Sequence, residues 1–231
     1  MDDDEAVLAA SVLESIRLMA VHYGLWFAET IKQQGLEKAL EAEERAGDQA
    51  LSLALKRFAD SSNPFLGRSS QELQGLLDTL GKLWLGLDGV WFQVVEGFAG
   101  MDGAKRINDA CWTAFAPLEA FRIKAVLGLP EKGGLDALER ALRHRFSSRI
   151  NEVVIQREPS ALTLRYTACR VQAARRRKGL EDYPCKSAGV AEFTGFARAL
   201  DSRFSTTCIA CPPDPLPEGD FCSWRFTLEN A

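Results

Sequence analysis

Apolar positions recur three and four residues apart through Val12–Ile31 and again through Leu76–Phe98, the spacing that gives a helix one face to bury. Gly35 and Gly100 fall where these two helices should stop, at a position suited to left-handed backbone. A second helix follows each glycine, over Leu36–Ala59 and Met101–Leu127, so each stretch reads as a helical hairpin. Between them Ser61-Ser62-Asn63-Pro64 breaks the pattern, and Ser69-Ser70-Gln71-Glu72 opens the next helix in the manner of a capping box. A further helix, Leu135–Phe146, follows the Gly133-Gly134 break.

The two hairpins align with each other at an offset of 65 residues. Leu18 meets Leu83, Gly24-x-Trp26-Phe27 meets Gly89-x-Trp91-Phe92, Gly35 meets Gly100, and Ala39, Leu53 and Arg57 meet Ala104, Leu118 and Arg122. This predicts a repeat, over about residues 18–60 and 83–125, with the two Trp-Phe pairs approaching one another. Two roles compete for those rings. They are either core between the hairpins or, with Asp88, Glu96 and Asn108 as a polar edge, the wall of a small-molecule site. The ligand-binding set is then Trp26, Phe27, Asp88, Trp91, Phe92, Glu96 and Asn108.

After Asn151 the period becomes that of a sheet. Val153-Val154-Ile155 and Leu162–Tyr166 flank the turn Glu158-Pro159-Ser160-Ala161, which predicts a hairpin. A basic helix, Arg170–Lys178, ends at Gly179, and an amphipathic one starts at Pro184-Cys185. Two strands, Phe204–Ala210 and Cys222–Leu228, are joined by a stiff proline-rich return. The expected fold is α+β, with a helical region over residues 1–150 and an antiparallel sheet of about four strands with helices over 151–231, the two sharing a core.

Composition narrows the partners. The chain has 231 residues, 46% hydrophobic and 26% charged, with net charge −4. Mild acidity disfavours nucleic acid, which demands a concentrated positive field. The run Arg140–Arg145, with His144 inside it, reads as a solvated face. The apolar stretch Leu83–Val95 is interrupted by Asp88 and too short to span a bilayer, and the acidic start Met1–Glu5 is unlike a signal peptide. A cytoplasmic protein without membrane partners is expected, and a homodimer is compatible with this composition.

Five of six cysteines, Cys169, Cys185, Cys208, Cys211 and Cys222, lie in the last 63 residues. In a reducing compartment such crowding points to metal or redox chemistry rather than disulfides. Cys208-Ile-Ala-Cys211 can place two sulfurs on one ion, and zinc or an iron–sulfur cluster needs four. The ligand set Cys185, Cys208, Cys211 and Cys222 is expected, with Cys169 as the alternative. Plain reduced thiols and a Cys208/Cys211 redox dithiol are the other readings. Cys111 reads as a plain buried residue, and the absence of a Gly-x-Ser-x-Gly elbow leaves a serine triad without support.

The segment running from Pro184-Cys185 through Cys208-x-x-Cys211 to Cys222-x-Trp224-x-Phe226 resembles the C-terminal part of 4-vinyl-reductase-type domains, which bind small molecules beside a zinc site. That resemblance places Cys185, Cys208 and Cys222 on zinc; Cys211 stands in for an acidic fourth ligand. Leu87–Phe92, Cys169-Arg170-Val171-Gln172 and Cys208-x-x-Cys211-Pro212-Pro213-Asp214 are similar to a family of bacterial cytosolic proteins akin to L-2-amino-thiazoline-4-carboxylic acid hydrolases. Together these imply a metal-stabilised protein holding a small, partly apolar ligand. The alternatives are a hydrolase of a small cyclic amide or thiazoline-like acid and an iron–sulfur or dithiol redox protein. No catalytic residue is matched.

Overall fold

The computed structural model describes residues 34–58 and 67–229, together with residues 20, 23, 24, 27–32 and 65. It divides into two compact units, Met1–Leu66 and Gly67–Ala231, so residues on both sides of position 150 lie in one unit. In the first unit residues 27–32 are helical, and Gly35 follows with φ +85°. The Gly35 N–H donates to Ile31 O at 2.9 Å, closing that helix, and α1 (Leu36–Phe58) begins at once. Trp26 and most of the expected first helix lie outside the described residues, and with them the opening part of the first repeat.

The second unit starts with α2 (Ser70–Leu127). Its capping box forms: the Glu72 N–H donates to Ser69 Oγ at 3.3 Å, and Ser69 N–H donates to Glu72 Oε2 at 2.9 Å. Gly100 (φ 69°, ψ 173°) interrupts α2. The Trp84 ring lies 6.0 Å from Trp112 and 6.2 Å from Phe115, so the chain folds back at that glycine and the two halves of α2 pair. Gly128 closes the helix in left-handed conformation.

Short helices α3 (Gly134–His144) and α4 (Phe146–Ile150) lead to β1 (Glu152–Glu158) and β2 (Ala161–Ala168). Helices α5 (Arg170–Arg177) and α6 (Lys186–Leu200) precede β3 (Phe204–Ala210) and β4 (Cys222–Leu228). The sheet is wholly antiparallel, in the order β1-β2-β4-β3. The expected strands all form. β1 is the exposed edge, and β2 and β4 are central and fill the core through Leu162, Leu164, Trp224 and Phe226. That core also takes Ala116 and Ala120 from α2, Leu138 and Leu142 from α3, and Phe193 and Phe196 from α6.

Helix α6 lies close against both layers because it is glycine-rich where it must be. A Cβ on Gly189 would stand 2.4 Å from the Trp224 ring, and one on Gly195 would stand 3.4 Å from Pro117 Cδ. Among the described residues no helix is long and apolar enough to cross a membrane. Arg145, expected on a solvated face, is instead 1% exposed. The α3–α4 junction turns its side chain inward, where two carboxylates meet it.

Candidate metal centre

The strand registers bring the cysteines to one end of the sheet. Cys222 opens β4 opposite Tyr166, near the end of β2, and Cys169 follows β2 as the N-cap residue of α5. Cys211 follows β3, whose last residue Ala210 pairs with Ser223 beside Cys222. Cys185 is the N-cap residue of α6, and the next residue's N–H donates to Pro212 O at 2.9 Å, which ties it to the Cys211 turn. Four separate segments therefore end at the same place.

A bulge brings both members of the Cys-x-x-Cys pair to one side of the sheet. In a regular strand residues three apart face opposite sides. Between Cys208 and Ala210 the register slips by one residue, with Ile209 51% exposed, and that extra residue restores Cys211 to the side from which Cys208 projects. The Cys211 thiol neighbours those of Cys185 and Cys222, and these neighbours, with burial, push it far above the usual thiol range. Burial pushes Cys169 up to about 11; it feels the Cys185 and Cys222 sulfurs, while the backbone N–H groups of Gln172 and Val171 favour its thiolate. Cys208 is raised by burial and responds to Lys186 and Asp214 as well as to Cys222, at the outer margin of the group. Cys111, expected to be buried, is instead exposed on α2, away from these.

Among the described residues no set of three or more His, Cys, Asp or Glu side chains is arranged to hold a metal ion.

Gln172, 1% exposed, holds the Cys185 loop. Its Nε2 donates to Tyr183 O at 2.8 Å and reaches Cys185 Sγ at 3.3 Å, while its Oε1 accepts from the Tyr183 N–H at 2.8 Å. Lys105 of α2 donates to Pro184 O at 2.6 Å and Ser187 Oγ at 2.9 Å, and sits 4.8 Å from the Tyr183 ring centre. Tyr183 carries no motif that would single it out in the sequence, and Gln172 enters there only as the last residue of the Cys169–Gln172 stretch.

Tyr183 is where three of the expected ligand residues meet. Asn108 Nδ2 donates to its hydroxyl at 3.1 Å, and Phe92 packs edge-on at 5.0 Å. Asp88, its carboxyl raised by burial, is close enough to raise Tyr183 and Cys111. Trp91, by contrast, is 68% exposed, so it is neither core nor wall of that group. Glu96 is half-buried on α2 two turns beyond Asp88, Phe27 is half-buried in the first unit, and Trp26 lies outside the described residues.

Behind this group lies a buried ion network. Arg145 Nε donates to Glu119 Oε2 at 2.9 Å, and Nη2 lies 2.7 Å from both Glu119 and Glu192. The guanidinium stacks over Phe196 (4.5 Å) and Phe193 (5.4 Å), and its Nη1 has no hydrogen-bond partner. Two carboxylates against one cation leave excess negative charge, and burial raises Glu192 accordingly.

Fold and site define an α+β protein whose antiparallel sheet gathers thiols at one end, next to a tyrosine-centred polar group under a helical layer. Residues 66–228 match a family of unknown function, DUF6125; this is most of the chain, and the chain belongs to that family. That match is to neither of the two families the sequence resembles. No curated protein and no solved structure matches.

Proposed function

We propose that the chain is a metal-stabilised protein that binds a small, partly apolar ligand beside Tyr183. The observation that carries this reading is the convergence of Cys169, Cys185, Cys211 and Cys222 from four chain segments on one end of the sheet. Four thiolates suit zinc, whose binding expels their protons and contributes directly to folding. In this reading Cys169 takes the fourth place expected of Cys208, because Cys169 follows the end of β2 that pairs with Cys222, whereas Cys208 lies opposite Trp224 further along the sheet. A closed set of four thiolates leaves no position for water, which favours a structural ion over a hydrolytic one.

The ligand would lie against Phe92, with Asn108, Asp88 and the Tyr183 hydroxyl as polar contacts. Cys185 follows Tyr183 by two residues and donates its N–H to Tyr183 O at 2.8 Å, so an ion that holds Cys185 also holds the tyrosine. Metal removal should therefore weaken ligand binding without any contact between ion and ligand.

Elemental analysis of the full chain purified without chelator under anaerobic conditions tests the first half. About one equivalent of zinc in a colourless protein is expected, lost in Cys211→Ser and Cys169→Ser and kept in Cys208→Ser. A chain with no transition metal overturns the reading, and a brown protein with iron and sulfide replaces zinc by a cluster.

A further inference from the structure

The first half of α2 carries an apolar stripe that no part of its own compact unit covers. Its inward face is defined by contacts: Trp84 stacks on Phe146 at 6.1 Å, a Cβ on Gly81 would stand 2.9 Å from Ile150, and Phe92 packs on Tyr183. On another face Leu76, Leu80, Leu83, Leu87, Val90 and Val94 follow one another at alternating spacings of four and three residues. All six are exposed, between 37% and 59%, and Trp91 and Phe98 beside them are exposed by 68% and 75%. This alternation is the seam of one helix that packs along another.

The flanks of the seam carry no charge over three heptads. Positions 79, 86 and 93 are Thr, Gly and Gln, and positions 77, 84, 91 and 98 are Leu, Trp, Trp and Phe. The charges of this segment, Asp78, Lys82, Asp88 and Glu96, all lie off the seam. Gly86 and Gly97 are helical glycines on or beside it, and a Cβ added to either would meet nothing within 4 Å, so no contact among the described residues explains them. A backbone approaching across the seam would.

We propose that this face is the interface between two copies of the chain, related by a two-fold axis across α2. With about 200 Å² for a large side chain, the eight exposed residues present about 900 Å² of mostly apolar surface. That exceeds the largest patch of an ordinary monomer, roughly 300–600 Å², and reaches the roughly 800 Å² that each partner gives to a stable interface. A two-fold interface must be self-complementary, and a seam without charge meets its own copy without like-charge repulsion. The same absence of charge gives a different partner nothing by which to be selected.

Sedimentation velocity on the full chain, from about 1 to 50 μM, spans the range in which an interface of this size associates. A dimer is expected for the wild type. The double variant Leu83→Glu/Leu87→Glu should be monomeric, with unchanged circular dichroism, because both side chains are more than half exposed. Gly86→Arg adds bulk only where the single chain leaves open space, and it should weaken self-association at least tenfold, on the order of 1.4 kcal/mol. Ile107→Glu, exposed on the other half of α2, should leave the dimer intact. A wild-type chain monomeric throughout, or a dimer that survives both seam variants, overturns the proposal.

Discussion

The two halves of α2 are both rich in apolar side chains and have opposite surroundings. Residues 101–127 bury Ala104, Ala116, Ala120 and Ile123, mostly small groups that let α6 come close. Residues 70–99 leave Leu83, Val90, Trp91 and Phe98 more than half exposed. Helical periodicity is a property of one segment, whereas burial belongs to a pair of segments. The half that met a partner inside its own unit did so through small residues. The other half meets Phe146, Ile150 and Tyr183 on one face and keeps large apolar side chains exposed on another.

The sharpest way to probe the buried half is to remove the cation it shares with α6. Arg145→Met leaves Glu119 and Glu192 buried without a counter-charge and should destabilise the chain by about 3–5 kcal/mol in denaturant unfolding. Adding Glu119→Gln and Glu192→Leu should recover most of that loss, since the cost lies in unpaired buried charge. A single-variant cost under about 1 kcal/mol, the size of an ordinary surface change, would mean that the ion network does not join the two helices.

A smaller effect comes from the end of α6. Asp201, 3% exposed, accepts from the Gly134 N–H at 3.1 Å and from Arg203 at 2.7 and 3.0 Å, pinning α6 to the start of α3. These partners lower its carboxyl from the ordinary 3.8 to about 2. A lowered acid stabilises the fold above its unfolded value and loses that contribution as pH falls through its folded one. Stability should thus drop by about 2 kcal/mol between about pH 4 and pH 2 on account of this group. Asp201→Asn should remove that part of the acid dependence; equal pH slopes in wild type and variant would show that the pin contributes nothing.

The exposed half should be the least sensitive. Trp91→Ala is expected to change the stability of the dilute chain by no more than about 0.5 kcal/mol, as a surface change does. A loss of several kcal/mol there would show that Trp91 is buried in the folded monomer and erase the contrast between the halves.

Much of the secondary structure was legible in the linear pattern, because local effects decide it. The Ser69/Glu72 cap, the left-handed Gly35 and Gly100, and the alternation that placed β2 and β4 all act within a few residues of themselves. The crowding of five cysteines near the end of the chain was equally plain. What the sequence left undetermined was every choice between neighbours distant along the chain. Cys211 meets Cys185 and Cys222 because of a one-residue bulge at Ile209, which no spacing rule reveals. Arg145 was expected among solvated cations, yet the α3–α4 junction turns it onto Glu119 and Glu192. Tyr183 and Gln172 gain their roles only because the chain folds back over α2 and α5. The physical reason is common to all of these. Helix caps, turns and periodicity are short-range and written in adjacent residues, but the desolvation of a charge or the meeting of two sulfurs depends on which surfaces close over them.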